Sequence, residues 1–116
     1  ISPGIELIMD YLHFDEIIRG AGLVITGEGK MDRQTLFGKV PVGIARAAAS
    51  QQIPVIAITG QLDITADKEL REAGLSAIFP IHPAPISLEK AMQPDYAYRN
   101  IRRTIEQICY ILNLLL

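Results

Sequence analysis

Leu23-Val24-Ile25-Thr26, followed at once by Gly27, is the first of three short apolar runs that decide the fold. The second is Val55-Ile56-Ala57-Ile58-Thr59, before Gly60, and the third is Ala77-Ile78-Phe79. Each run is continuously apolar rather than alternating, which is typical of strands covered on both faces in a parallel sheet. The three runs therefore predict three buried parallel strands, each ending at a turn.

Helical patterns separate these runs. Pro41 suits the first turn of a helix that reaches about Gln51, because its missing N–H needs no partner there. A second helix is predicted from about Ala66 to Ala73, with Thr65 as its N-cap and Gly74 as its left-handed stop. Strand, helix, strand, helix and strand in this order predict an α/β fold, a βαβαβ unit with right-handed crossovers.

Further helices are predicted at both ends of the chain. The start of the sequence has an apolar helical face, and Ser87 is a good N-cap for a short helix over Leu88 to Met92. A long final helix is predicted from about Asp95, with an amphipathic stripe that should cover the sheet. The stripe consists of Tyr98, Ile101, Ile105, Ile108 and Leu112. A sheet of three strands is thin for this architecture, so we expect more strands upstream.

Composition excludes several classes of function. The 116 residues suffice for one core, and the net charge of -2 without a Lys/Arg block argues against nucleic-acid binding. The apolar end, Ile108 to Leu116, is too short for a bilayer, which takes roughly 20 residues. No signal peptide is visible, so no membrane partner and a cytoplasmic location are expected. The single Cys109 is expected to be a small buried hydrophobe.

Polar residues concentrate after the first run, between Thr26 and Pro41. Glycines there permit close backbone approach, and free N–H groups would hold phosphate oxygens. Glu28 and Asp32 would hold a magnesium ion or accept a proton from an attacking hydroxyl, and Lys39 would neutralise phosphoryl charge. For each residue alone, a solvated loop position is the more common explanation. His82, after the third run, is a candidate base, although a structural histidine is more common.

The standard nucleotide motifs do not fit this segment. A dinucleotide fingerprint starting at Gly27 requires glycine where Asp32 stands. A Walker loop ending at Gly38-Lys39 requires glycine at Arg33 and a hydroxyl residue at Val40. The local pattern is therefore neither a Rossmann dinucleotide site nor a P-loop.

A longer pattern does resemble a known family. The run Leu23-Val24-Ile25-Thr26-Gly27-Glu28-Gly29, then Asp32, Gln34-Thr35 and Gly38-Lys39-Val40-Pro41-Val42-Gly43-Ile44-Ala45, resembles the bacterial glycerate kinases. The similarity extends over the whole chain, including Pro54-Val55-Ile56 with Gly60. Arg33 stands where the family often has Ser, which adds a charge beside Asp32.

The resemblance implies a larger, two-domain α/β kinase. Residues 1–116 would form the C-terminal part of its Rossmann-like domain, a three-layer parallel-sheet segment, and the other domain would lie outside this chain. The enzyme would transfer a phosphoryl group from ATP, with Mg²⁺, to a hydroxyl of D-glycerate, and an oligomer is possible. The isolated segment should be inactive, because its active site would lie between the domains.

The resemblance also marks the site positions. We infer catalytic roles for Asp32, Lys39 and Glu28, with Asp32 and Glu28 as candidate metal ligands. The candidate substrate- and phosphate-binding residues are Gly27, Gly29, Gln34, Thr35, Gly38 and Gly60. Two alternatives remain: a non-catalytic α/β module that binds phosphate or a small sugar acid, and a structural or oligomerisation piece.

Overall fold

The computed structural model describes residues 4–37 and 39–115 and contains a three-stranded parallel sheet. The strands are β1 (Val24–Met31), β2 (Val55–Leu62) and β3 (Ala77–Pro80), arranged in the order β1-β2-β3. In the register of the sheet, Val24 lies beside Val55 and Ile56 beside Ala77. The predicted α/β fold with three parallel strands is confirmed.

Strand β1 extends well beyond its predicted end. The segment from Gly27 to Lys30 was expected in a loop, but it lies in β1, with Glu28 opposite Thr59 and Lys30 opposite Gln61. Strand β2 likewise continues past Gly60. The prediction of turns at both glycines was wrong because main-chain pairing with the neighbouring strand continues where the apolar side chains stop.

The helices agree more closely with the predicted boundaries. They are α1 (Gly4–Leu12), α2 (Phe14–Ile17), α3 (Val40–Ala49), α4 (Asp67–Glu72), α5 (Leu88–Ala91) and α6 (Pro94–Leu115), with 3-10 turns at Arg33–Leu36 and Ile64–Ala66. Ser87 caps α5 as predicted, because its Oγ accepts a hydrogen bond from the Lys90 N–H at 3.3 Å. The Thr65 cap was wrong: Asp63 caps the 3-10 turn before α4 by accepting a hydrogen bond from the Thr65 N–H.

Two apolar clusters lie on opposite faces of the sheet. Val55 and Ala57 of β2 pack in the main core with Val42 of α3 and Leu70 of α4. Ile58 of the same strand packs on the other face, with Ile81 and Ile108 of α6. Alternate residues of a strand point to opposite faces, so both faces are covered and the fold has three layers.

Close helix packing depends on one glycine with a positive φ. Gly74 has φ +123°, and a Cβ at that position would lie 3.3 Å from the Cβ of Ala45 in α3. The predicted left-handed stop is therefore confirmed, and the absence of a side chain also lets the end of α4 approach α3.

Helix α6 buries only one narrow side. Ile108 is buried on the sheet, but Cys109 is exposed, so the expectation of a buried thiol was wrong. Successive helix residues are about 100° apart around the axis, which turns Cys109 away from the face that Ile108 buries. Within residues 4–37 and 39–115, no helix combines the length and hydropathy that a membrane crossing requires.

Candidate functional site

A cavity of about 660 Å³ lies between the sheet and the helices α5 and α6. It lies beside the middle of β1 and the carboxyl-terminal half of β2, towards the edge at which parallel α/β sheets bind ligands. The strands contribute Gly27, Glu28, Gly29, Thr59, Gly60 and Gln61 to its wall. Most of the remaining wall is apolar and includes Ile25, Ile58, Leu88, Met92, Ile101 and Ile105.

The two strands approach each other closely beside this cavity. A Cβ built on Gly60 would lie 2.7 Å from the carbonyl oxygen of Gly29, a distance that real Cβ atoms do not tolerate. A Cβ on Gly29 would meet nothing within 4 Å. Gly60 is therefore required for strand pairing, whereas Gly29 leaves open space at the cavity wall.

Glu28 is the acidic residue in the cavity wall. It is half-buried, and its Oε1 accepts a hydrogen bond from the Gly29 N–H at 3.1 Å. That bond uses one carboxylate oxygen and leaves the other available to a ligand. The structure thus brings the predicted site residues Gly27, Glu28, Gly29 and Gly60 together in one cavity wall.

Asp32 and Thr35 form a reciprocal capping box outside this wall. The Asp32 carboxylate accepts a hydrogen bond from the Gln34 N–H at 2.9 Å, and the Asp32 N–H donates to Thr35 Oγ1 at 3.0 Å. Thr35 is fully buried, and the second Asp32 oxygen lies 3.9 Å from Lys30 Nζ. Both side chains thereby fix the 3-10 turn that leads from β1 to α3.

Two further predicted site residues, Gln34 and Lys39, also lie away from the cavity wall. Both are exposed, and Lys39 occupies the N-cap position of α3 without a side-chain capping bond. Gly38 lies outside the described residues. The motif is therefore divided between a strand half that lines the cavity and a turn half that does not.

Arg33, which stands where the family often has Ser, connects the turn half of the motif to the segment that leads into α4. Its guanidinium donates to Glu69 Oε1 at 3.3 Å and to the Thr65 carbonyl at 3.1 Å. The pKa of Glu69 is lowered, first by a hydrogen bond from its own N–H and then by the charge of Arg33. Both groups are substantially exposed, so this pair adds little stability.

His82 lies in the cavity wall, although the sequence favoured a structural histidine at this position. It follows β3, contributes to the cavity wall and stacks on Tyr96 with ring centroids 5.8 Å apart and planes inclined by 17°. Its Nδ1 atom is shielded from solvent and has no hydrogen-bond partner among residues 4–37 and 39–115. Its position directly after a parallel strand was the signal available in the sequence.

No metal cluster is preassembled in the part of the chain that the structure describes. Groups of three or more His, Cys, Asp or Glu side chains in metal-binding proximity are absent there. Mg²⁺ commonly uses only one or two carboxylates together with water and substrate phosphates. The free oxygen of Glu28 fits such a site better than Asp32, whose oxygens face the Gln34 N–H and Lys30.

Comparison with known proteins identifies the family. The sequence model described as the glycerate kinase family matches residues 1–113. The chain belongs to the glycerate kinase family. Glycerate kinase of Bacillus cereus is 44% identical over 111 residues, which cover 96% of this chain and 28% of the relative. Glycerate 2-kinase of Escherichia coli is 37% identical, with 90% of this chain and 29% of the relative covered.

A solved structure supports the same assignment. A crystal structure assigned as glycerate kinase 2 of Salmonella typhimurium matches with a TM-score of 0.68 and 38% identity. The match covers 96% of this chain and 27% of that structure. The chain thus spans somewhat more than a quarter of the length of its glycerate kinase relatives.

Proposed function

We propose that this chain is the C-terminal segment of an ATP-dependent glycerate kinase and is inactive by itself. Its family membership and the cavity beside β1 and the carboxyl-terminal half of β2 support the proposal. Inactivity in isolation follows from the missing length, since the chain spans only 28% of the Bacillus cereus relative. Residues 1–116 would form the C-terminal part of a Rossmann-like domain in the cytoplasm, and the rest of the kinase would close the site.

The reaction is a phosphoryl transfer. An oxygen of a D-glycerate hydroxyl attacks the γ-phosphorus of ATP, the bond to the ADP oxygen breaks, and the hydroxyl proton is released. The protein contributes mainly positioning and stabilisation of charge in such reactions. Bound Mg²⁺ would offset charge on the phosphates, and Glu28 is the residue in the described part of the wall that would hold it or receive the proton.

The observation that carries this proposal is the position of Glu28. Glu28 is half-buried, lies between two glycines in β1 and contributes to the wall of a large cavity. Among the described residues, no hydrogen bond or ion pair uses its second oxygen, which leaves that oxygen open to a ligand. Asp32, by contrast, performs a capping role that explains its presence without chemistry.

The test uses the full-length kinase that contains this chain, in a coupled assay of ATP and D-glycerate phosphorylation. Turnover by the full protein and none by residues 1–116 alone is expected. Glu28→Gln should lower kcat/KM by about two orders of magnitude or more. Asp32→Asn is the matched control, because Asn caps helices as well as Asp while removing the charge, and it should cost less than about tenfold.

Two results would contradict the proposal. A folded full-length protein that phosphorylates no glycerate would refute the substrate and reaction. Calorimetric binding of phosphate or glycerate by such a protein would instead favour the non-catalytic module. A large loss in Asp32→Asn with little change in Glu28→Gln would move the chemistry from the cavity wall to the turn.

A further inference from the structure

The cavity is chemically two-sided. Its strand side carries Glu28, Thr59 and Gln61 beside three glycines, whereas the side formed by α5 and α6 is almost entirely apolar. Its volume of about 660 Å³ is that of a site for an organic ligand, since such sites range from about 300 to 1,000 Å³. D-glycerate is a small acid that carries oxygen on every carbon, so it would leave the apolar side unfilled.

An unused polar atom accompanies the apolar walls. His82 lies in the cavity wall, and its Nδ1 lacks a partner in the described part of the chain although it is buried. A buried imidazole nitrogen without a partner calls for a ligand or water that satisfies it. The stack on Tyr96 fixes the imidazole, and Lys90 Nζ lies 5.6 Å from the centroid of that tyrosine ring.

The strand side suits a phosphate chain better than a purine. Gly27 and Gly29 lack side chains, and a Cβ on Gly29 would meet nothing within 4 Å, so a phosphate has room beside this backbone, although the Gly29 N–H itself is bonded to Glu28. The apolar side suits a flat heteroaromatic ring, because dispersion and burial act on its faces. A nucleotide has its base at one end and its phosphates at the other. The base can therefore lie against the apolar side of the cavity while the phosphates lie along the strand side.

We propose that this cavity binds the nucleoside half of ATP, an assignment that rests on the kinase function proposed above. The adenine lies between the sheet and the apolar faces of α5 and α6, and His82 makes a polar contact with the nucleoside. The phosphates lie along the segment from Gly27 to Gly29, where Glu28 would hold the Mg²⁺ that accompanies them. D-glycerate then binds outside this cavity, on the side closed by the rest of the kinase.

A filling substitution tests this assignment in the full-length kinase. Ala97 of α6 lines the cavity and is half-buried, so Ala97→Phe places a ring inside the space assigned to adenine. The dissociation constant of ADP, measured by calorimetry, and the KM for ATP should both rise about tenfold or more, whereas the KM for D-glycerate stays within about threefold. Ala49→Phe is the matched control, because Ala49 is exposed at the end of α3, and it should change neither constant.

A second variant covers the possibility that Ala97→Phe does not fold. His82→Leu replaces the imidazole by an apolar side chain of similar reach and removes both ring nitrogens. It should therefore weaken ADP binding by about tenfold. Circular dichroism and thermal melting of both variants establish that they are folded.

The outcomes separate this inference from the proposed function. Unchanged ADP binding in folded Ala97→Phe and His82→Leu overturns the inference, and this is the result expected if protein from the rest of the kinase fills the cavity. A rise confined to the KM for D-glycerate also overturns it, because the cavity would then hold the acid. Weakened ADP binding in an enzyme that phosphorylates no glycerate supports the nucleoside site and refutes only the assigned acceptor.

Discussion

Replacing Gly60 by alanine should destabilise the protein without altering any polar group. The new Cβ would lie 2.7 Å from the carbonyl oxygen of Gly29, and the obstructing atom is main chain rather than the end of a flexible side chain. Relief requires β1 and β2 to move apart where Glu28 pairs with Thr59 and Lys30 with Gln61. We expect a loss of about 1–3 kcal/mol in the free energy of unfolding, the usual cost of overpacking.

Gly29→Ala is the matched control for that substitution. It adds the same methyl group to the neighbouring strand, but its Cβ meets nothing within 4 Å, and Gly29 does not have a positive φ. Its stability should equal the wild type or rise by about 0.4–1 kcal/mol, because alanine restricts the unfolded chain. Urea denaturation followed by circular dichroism measures both. Equal stability of the two variants, or a greater loss in Gly29→Ala, would refute the claim that close strand approach explains Gly60.

Three further perturbations follow from individual contacts. Asp32→Ala should cost about 1 kcal/mol of stability in urea titrations, because it removes a side-chain cap, whereas Asp32→Asn should preserve the stability. Hydrogen bonds from the side chain and N–H of Thr65 lower the pKa of Asp63, so its stabilising effect is present above the unfolded pKa and disappears as the pH falls through the folded pKa. Asp63→Asn should therefore weaken the pH dependence of Tm below about pH 4, and an unchanged acid limb would contradict this. Gly43→Ala brings a Cβ to 2.7 Å from Cγ2 of Ile5 in α1. It also favours the helix by about 1 kcal/mol, so the Tm of Gly43→Ala should fall less than the Tm of Gly60→Ala.

The sheet was predictable because its strands are marked by continuous apolar runs. The run from Val55 to Thr59 is buried on both faces. A short, continuously apolar run between two helical patterns is typical of a strand in a parallel sheet. The ends of the strands were not predictable in the same way. Beyond Gly27 and Gly60 the pairing is carried by main-chain hydrogen bonds, which leave no periodic signal in the side chains.

The sequence indicated a candidate region for the site but not which of its residues line the cavity. The segment after the first strand contains both cavity-wall residues and turn-forming residues, and the same residue types serve both purposes. An aspartate such as Asp32 can bind a metal or cap a turn, and only the observed bonds to Gln34 and Thr35 distinguish the two. The place of His82 in the cavity wall was not predictable for a different reason, because the rest of that wall comes from α5 and α6, which follow His82 in the chain.

The exposed surface of this chain supports the proposal that it functions only as part of a longer protein. Large apolar side chains are exposed at many places, among them Leu7 and Tyr11 of α1, Ile25 of β1, and Leu114 near the end of α6. Ile25 belongs to an edge strand whose outer side has no partner strand in the described sheet, and it also lines the cavity. Contiguous exposed apolar surface and open sheet edges are usually covered in stable proteins. Because the relatives are more than three times as long, the simplest cover is the rest of the kinase, which would close the cavity and complete the site in the same step.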